Sequence, residues 1–541
     1  MPDGTDPQVI AEESDHLATA TRPADAPLGD NTDTTSATPS RPSRMVIVGV
    51  AGAVVTFLGL ALVWMLAVPL FVPADEAAHV DYISQVGHGT LLPVAGQVFT
   101  AEFPELGQRS GLQHVANHPP LYPLIVSPLV IGAEHSHSPR AWLLATRGIG
   151  VLLTAFTIVL IAVLARSVTA RASRQLRDQL TVLAAGLAAT LPSLLAAVGS
   201  IQNDALVVML TTGTLVLLAR LLRRGPSPRL LLAISVACVL GMLTRATFAQ
   251  VFMVAVATVV VLRLWPGLAE FTRPDRERIV RAIGAGLLVT AVTVVGAGWF
   301  YLVNKHRYGD LIGENGVHAV AAHRGPIPGA SHGMFAYLFW PKGWWIQIEQ
   351  LGGISAARVN DPGGLAITIG IILSVMFGIG VLSLAGKWRS WRTLDPAGWL
   401  LLAGCLVIFL ISFVEIANHV THRGSPNNRY LLEGLPLWGI GVGAVFLAAS
   451  PRRFPFAAIA ALCAEVVASI AFIVIITRRQ TALVKGKDGF DTLATSMDHV
   501  GVPASSAVLG VLLAAIACGV VLLGVALLRL GRDDSAVARV G

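Results

Sequence analysis

The feature that most constrains this chain is a series of apolar blocks that recurs between residues 45 and 530. Most blocks approach the length of about 20 residues that a helix needs to cross a bilayer. Only 13% of the 541 residues are charged, about half the share that a soluble domain carries. The pattern excludes a soluble globular protein and predicts an all-α, polytopic membrane protein.

The blocks predict about twelve transmembrane helices with boundaries that are approximate. They lie at residues 45–72, 141–165, 179–198, 205–222, 229–244, 246–264, 281–303, 364–386, 398–416, 429–449, 456–476 and 505–530. The blocks at 229–244 and 246–264 are short and only Arg245 stands between them. We interpret them as two helices, because a single broken helix would move every later loop to the other side of the membrane.

Basic residues cluster in alternate loops between the blocks. These clusters are Arg166/Arg171/Arg174/Arg177, Arg220/Arg223/Arg224, Arg273/Arg276/Arg278, Lys387/Arg389/Arg392, Arg452/Arg453 and Arg529/Arg532. All of them face inward if both termini are cytoplasmic, as the positive-inside rule requires. The net charge of +7 therefore reflects membrane topology, and no nucleic-acid partner is expected.

The composition of the sequence divides the chain into three parts. Residues 1–44 are rich in Asp, Thr, Ser and Pro and predict a disordered cytoplasmic tail. Residues 45–450 form a transmembrane module with two long outer loops, at 73–140 and 304–363, and residues 451–541 add C-terminal transmembrane helices. Functional residues concentrate in long loops held by a rigid scaffold, so we expect the functional residues of this chain in the two outer loops.

The strongest local candidate is the segment from Pro73 to His79, where the first helix emerges. In a helical turn, Asp75 and Glu76 lie four and three residues before His79 and share its face. Such a cluster suits a general base or a metal ligand. Proline and acidic residues are also common in the first turn of an ordinary interfacial helix, and local pattern alone leaves both interpretations open.

Three further outer segments carry polar residues suited to substrate binding. They contribute His118 and Tyr122 at the start of an apolar stretch too short for a span, Asn304 and Asp310 beyond Trp299, and Arg429 and Tyr430 at the start of a later span. Each also fits an ordinary anchor at the membrane surface. All of them nevertheless fall on the outer face in the predicted topology.

Taken in order, these motifs resemble a predicted bacterial membrane-protein family of unknown function. The residues that carry the resemblance are Asp75-Glu76, His118-Pro119-Pro120-Leu121-Tyr122, Arg147, the turn at 200–205, Trp299 with Asn304 and Tyr308-Gly309-Asp310, and Arg429-Tyr430. That family is similar to the GT-C glycosyltransferases, which use lipid-linked sugar donors. The resemblance covers roughly residues 45–450. One difference is Asn427-Asn428, where relatives usually have Gln-Gly.

The resemblance implies an integral membrane glycosyltransferase on the outer face of a bacterial plasma membrane. It would transfer a sugar from a polyprenyl-phosphate donor to an envelope glycan, lipid or protein. The implied catalytic residues are Asp75 and Glu76, with Asp75 as the general base, and the implied substrate-binding residues are His79, His118, Tyr122, Asn304, Asp310, Lys342, Arg429 and Tyr430. Arg429, with Lys342 or Arg245, would hold the donor phosphate.

Cofactors and alternative functions remain open from the sequence. The chemistry requires no nucleotide, and a divalent metal could be held by Asp75, Glu76 and His79, although no spacing demands one. The expected partners are the lipid-linked donor, the envelope acceptor and the bilayer. A transporter or flippase of a lipid-linked glycan, or a non-catalytic envelope-assembly protein, is the alternative; Glu415 and Glu465 are the main acidic residues predicted within spans.

Overall fold

The structure is a computed structural model of the whole chain. It describes residues 41–321, 378–385, 394–421 and 428–537, apart from 74, 267, 269–272, 452–453, 481–483 and 485. Nearly all of the predicted tail at 1–44, most of the predicted loop at 304–363 with Lys342, and most of the predicted span at 364–386 lie outside the described residues.

The described chain is helical nearly throughout. Its helices are α1 Arg44–Ala67, α2 Glu76–Gly87, α3 Leu121–Glu134, α4 Pro139–Val168, α5 Arg174–Thr190, α6 Pro192–Val198, α7 Asp204–Arg224, α8 Pro228–Met242, α9 Ala249–Leu264, α10 Arg276–Tyr308, α11 Glu314–Ala321, α12 Pro396–Thr421, α13 Arg429–Ala448, α14 Phe456–Gln480, α15 Gly489–His499 and α16 Ser505–Val537. An isolated antiparallel bridge joins Val98 to Leu112, and no sheet is present among the described residues.

Nine of the described helices are long and apolar enough to cross a membrane: α1, α4, α7, α9 together with the short 3₁₀ turn that begins it at Ala246, α10, α12, α13, α14 and α16. A tenth span is formed if α5 and α6 are counted together, although they meet at 60°. The bend falls at Pro192, because proline has no N–H to continue the helix of α5. The prediction of an all-α, multi-pass membrane protein is confirmed, and the total of about twelve spans stays a prediction.

Segments of three Arg-rich clusters, at 166–177, 220–224 and 529–532, contact one another at one end of the bundle. Arg223, near the end of α7, pairs with Asp395 before α12 and donates to the Ser167 carbonyl of α4 at 2.6 Å. Gln175, at the start of α5, donates to the Gly531 carbonyl of α16 at 2.9 Å. This is the grouping that the positive-inside rule predicts for these loops.

The first and last spans pack closely along their lengths. A side chain at Gly519 of α16 would place a Cβ 2.3 Å from Thr56 Oγ1, and one at Gly52 of α1 would lie 2.8 Å from the Gly519 carbonyl. Small residues let membrane helices approach in this way. The described residues from Pro42 onward form one compact unit, and the predicted division at residue 450 stays a prediction.

The opposite end of the bundle carries α2, α3 and α11. Asp75 stands in the turn between α1 and α2, His118 precedes α3, and Arg429 begins α13. The start of α3 is tied to the break between α8 and α9, because the Leu121 N–H donates to the Leu243 carbonyl at 3.0 Å. This break places Arg245 at the same end, and it separates α8 from α9 as predicted; that α8, a shorter apolar helix, crosses the membrane by itself stays a prediction.

Candidate active site

A cavity of about 530 Å³ lies at this end of the bundle. Its walls come from segments that are far apart in sequence. The charged and histidine side chains among its described lining are Asp75, His114, His118, Arg245, Glu314, His318, Glu415, His419 and Arg429. The fold therefore collects four predicted site residues in one place: Asp75, His118, Arg429 and Tyr430.

Asp75 and Arg429 form an ion pair in the cavity wall, although they are 354 positions apart. Arg429 donates from Nη2 to Asp75 Oδ2 and from Nη1 to Gln202 Oε1, the latter at 2.6 Å. The other carboxylate oxygen of Asp75 lies 2.9 Å from His114 Nε2. The side chains of Asp75 and Arg429 are 20% and 12% exposed, so both remain accessible from the cavity.

The backbone of Asp75 is in the left-handed region, with φ 67° and ψ −4°. Aspartate is one of the few side chains that adopt this region with any frequency, and holding a residue there costs on the order of 1–3 kcal/mol. Asp75 makes no side-chain cap to α2. Its carboxylate is instead directed to Arg429 and His114.

The electrostatics of the site favour an ionised carboxylate beside neutral histidines. Burial alone would raise the pKa of Asp75, but the positive charge of Arg429 and the hydrogen bond to His114 hold that pKa well below its usual range. Burial, followed by the charge of Arg429, lowers the pKa of His79 to about 3. Burial also lowers the pKa of His118 well below its usual value. Both of these imidazoles are therefore uncharged at neutral pH.

His79 lies behind His118, and it is not among the described residues that line the cavity. It is 2% exposed, and its ring centroid lies 5.5 Å from that of His118. The His118 carbonyl accepts a hydrogen bond from the Tyr82 hydroxyl at 2.8 Å. The ring Nδ1 of His118 lies 3.3 Å from Asn203 Nδ2. His118 thus lines the cavity, and His79 packs behind it.

Glu76, the other predicted catalytic residue, is engaged elsewhere. Both of its oxygens accept from Arg147, at 2.7 Å each, and both side chains are 0% exposed. The N–H groups of Phe71 and Ile201 donate to the same carboxylate at 2.7 and 2.9 Å. The remaining donors of Arg147 reach the carbonyls of Met65, Val68 and Pro69. We call this buried pair the Glu76–Arg147 clip; it joins the end of α1 to α2, α4 and the turn before α7.

The clip also bears on the predicted metal ligands. Because the Glu76 carboxylate is held by Arg147, the structure does not bring Asp75, Glu76 and His79 together around one point. The described His, Cys, Asp and Glu side chains that do converge are Glu314, His318 and His419, whose ligand atoms lie within 4.8 Å of one another. All three line the cavity.

The remaining predicted residues divide between cavity and scaffold. Tyr430 lines the cavity, and the Arg245 guanidinium lies 4.8 Å from its ring centre. Tyr122 is 1% exposed and packs in an apolar cluster. Asn304 is 2% exposed and donates to the Asn117 carbonyl at 3.4 Å. Neither is among the described lining residues.

Asp310 also supports structure. Its carboxylate accepts from the N–H groups of Glu314 at 2.9 Å and Asn315 at 3.0 Å, and so stabilises the start of α11. Asp310 does not appear in the described lining of the cavity.

Several site residues had little or no signal in the sequence. His114 belongs to no motif, and Asp204, which pairs with the cavity residue Arg245, stands in the sequence only as part of the 200–205 turn. Glu314 and His318 are four residues apart, a spacing that puts them on one helix face. His419 lies just beyond the predicted span at 398–416.

Comparison with solved structures finds similarity to ArnT and to an archaeal oligosaccharyltransferase at low identity. ArnT from Cupriavidus metallidurans in the apo state gives a TM-score of 0.43 with 16% identity, over 89% of this chain and 77% of that protein. ArnT bound to undecaprenyl phosphate gives 0.42, with the same identity of 16% and the same coverage of 89% and 77%. The apo oligosaccharyltransferase of Archaeoglobus fulgidus gives 0.38 and 15% identity, over 89% of this chain and 56% of that one.

This chain therefore spans little more than half of the oligosaccharyltransferase. No protein-family model matches the sequence, and no curated protein matches it. Structural likeness at this level does not identify a function.

Proposed function

We propose that this protein is a glycosyltransferase of the outer face of a bacterial plasma membrane, with both termini in the cytoplasm. It would move a sugar from a polyprenyl-phosphate donor to a hydroxyl of an envelope glycan, lipid or protein. The observation that carries the proposal is the meeting of Asp75 and Arg429 in the wall of one cavity. This reaction needs an acceptor for a proton and a cation for a departing phosphate.

In the proposed reaction, the acceptor oxygen bonds to the anomeric carbon of the donor sugar while the bond from that carbon to the phosphate oxygen breaks. The acceptor's proton passes to the Asp75 carboxylate, and the lipid phosphate leaves with the bonding electrons. Arg429 stabilises that phosphate through a planar guanidinium suited to bidentate contact. Arg245 adds a second positive charge in the same cavity.

Donor binding would also activate the base. In the structure one oxygen of Asp75 accepts a hydrogen bond from the guanidinium of Arg429, and that pairing makes the carboxylate a weak proton acceptor. A donor phosphate would compete for the same guanidinium. As the phosphate takes up the charge of Arg429, the pKa of Asp75 would rise toward the range in which general-base catalysis is efficient.

The test compares Asp75→Asn with Arg429→Gln in liposomes supplied with a panel of polyprenyl-phosphate pentoses and hexoses. Asp75→Asn should lower turnover by about 10²- to 10⁴-fold and leave donor binding largely intact, because an amide cannot accept the proton. Arg429→Gln should weaken donor binding as well as turnover, since the phosphate is charged before and during the reaction.

Glu102→Gln is the matched control, because Glu102 is an exposed carboxylate of the same outer loop. It should retain the parent turnover. Near-normal turnover in Asp75→Asn would refute the assignment of the base.

A transporter of a lipid-linked glycan is the second candidate. The observation in its favour is Glu415, which lies within the spanning part of α12, lines the same cavity, and has an Oε2 with no hydrogen-bond partner among the described residues. The same liposome assay separates the two functions: glycosyl transfer releases free polyprenyl phosphate, whereas transport leaves the donor intact and moves it between leaflets.

A further inference from the structure

The cavity contains a second cluster, which the proposed sugar transfer does not use. Glu314 and His318 lie one turn apart on α11, and His419 lies near the end of α12. His318 Nε2 is 3.3 Å and His419 Nδ1 is 4.0 Å from Glu314 Oε1. The three side chains are 22–24% exposed, so they are mostly buried in the wall of the cavity but remain accessible from it.

The types of these side chains match a metal site. Two imidazoles and one carboxylate form the protein ligand set of one group of zinc enzymes, in which the fourth position stays open. Tetrahedral ligands at about 2.0–2.2 Å from the ion stand roughly 3.3–3.6 Å from one another. Two of the separations in the cluster are 3.3 and 4.0 Å, and small side-chain rotations would complete the geometry.

The backbone that presents the cluster is firmly held. Asp310 caps the start of α11 through the N–H groups of Glu314 and Asn315. Gly313, just before α11, has φ +71°, and a Cβ there would lie 2.8 Å from the Cβ of Asn117. Only glycine fits that turn without strain. The two ligands on α11 are therefore fixed against the loop that leads to His118.

We propose that Glu314, His318 and His419 bind one divalent transition-metal ion, with Zn²⁺ the best match to the ligand set. Three protein ligands leave a coordination position open to the cavity. That position suits a water molecule or an anionic oxygen, and it lies in the same cavity as Arg245 and Arg429. The metal site does not depend on the proposed sugar transfer.

The test measures zinc in the full chain, reconstituted in nanodiscs after its purification tag has been removed. The protein is stripped with EDTA, dialysed, and titrated with ZnCl₂ against a fluorescent chelator; bound zinc is then counted by mass spectrometry. The parent should bind one Zn²⁺ per chain. His318→Ala, His419→Ala and Glu314→Gln should each weaken binding by about 10- to 100-fold or more, since even outer-shell changes at metal sites have effects of this size.

His306→Ala is the matched control, because His306 is exposed on the neighbouring helix α10. It should bind zinc as the parent does. His318→Ala decides the question if His419→Ala does not fold, because His318 lies on a short outer helix and not in a span.

The metal site is refuted if the parent binds no zinc, or if His318→Ala binds it as tightly as His306→Ala does; the cluster would then be a contact between His318 and Glu314 beside a second histidine, His419. Turnover is measured separately, with and without EDTA. Sugar transfer by a parent that binds no zinc in the titration would refute the metal site and leave the proposed function standing, and zinc binding without transfer would do the reverse.

Discussion

Asp75 and Glu76 are neighbours, and each pairs with an arginine from a distant helix, yet the two pairs differ in surroundings. The side chains of the Glu76–Arg147 clip are 0% exposed, and protein donors surround the carboxylate. Those of Asp75 and Arg429 are 20% and 12% exposed and line a cavity. One ion pair is locked into the fold, whereas a ligand can reach the other.

The difference arises from the backbone at the start of α2. Asp75 is left-handed, whereas Glu76 is the first residue of the helix, so their side chains leave the chain in different directions. The clip holds the turn from α1 to α2 on both sides, through Phe71 and Arg147. A rigid support of this kind can maintain the left-handed conformation of Asp75 at its cost of about 1–3 kcal/mol.

The largest expected effect is on stability, from Glu76→Gln. The amide leaves the Arg147 charge buried without a counter-charge, and breaking a buried ion pair in this way typically costs about 3–5 kcal/mol. We expect a strong loss of folded protein and a much lower melting temperature, measured by thermal denaturation and size exclusion in detergent.

Asp75→Asn is the control for this comparison. Asparagine keeps the size and polarity of the side chain, and the pair that it breaks is partly exposed, so that water can replace the lost charge; the loss of stability should therefore be smaller than the roughly 3–5 kcal/mol of a fully buried pair. If Asp75→Asn proved the less stable of the two variants, the assignment of a structural and an accessible pair would be reversed.

The architecture could be predicted from the sequence because bilayer-length apolar blocks are a local property. Asp75, His118 and Arg429 could be named as well, since each stands at the outer end of a predicted helix. Their convergence could not be derived, because it depends on which helix ends pack together. The role of Glu76 was hidden for the same reason: its partner Arg147 lies 71 positions away.

The second-largest expected effect is a loss of stability at acidic pH, which arises from the buried histidines beside the cavity. In the unfolded chain His79 takes up a proton below about pH 6.5, whereas in the folded protein its pKa is about 3. The unfolded state therefore binds more protons between these values, and stability falls as the pH falls from 6.5, by at most about 1.4 kcal/mol per pH unit for each such histidine. His118, whose pKa is also lowered, acts in the same direction.

The measurement is the melting temperature at several values between pH 7 and pH 4.5. Asp75 contributes little to the slope in this window, because the stability that its lowered pKa provides is lost mainly as the pH falls through the unfolded-state value of about 3.9 and below. His79→Gln should reduce the slope with pH by roughly half. An unchanged slope in that variant would show that the acid sensitivity has another source.

The smallest expected effect concerns the backbone strain at Asp75. Both Asp75→Gly and Asp75→Ala remove the carboxylate, but glycine adopts φ 67° without penalty, whereas alanine pays roughly 1–2 kcal/mol there. The glycine variant should therefore melt at the higher temperature.

Two positions later, inside α2, the order should reverse: Ala77→Gly should lower stability by about 0.5–1 kcal/mol, because glycine loses more backbone entropy in a helix. Opposite signs at positions 75 and 77 would locate the strain at Asp75, which lines the cavity. The same sign at both would mean that the left-handed turn costs nothing, and that the clip is not needed to hold Asp75 in place.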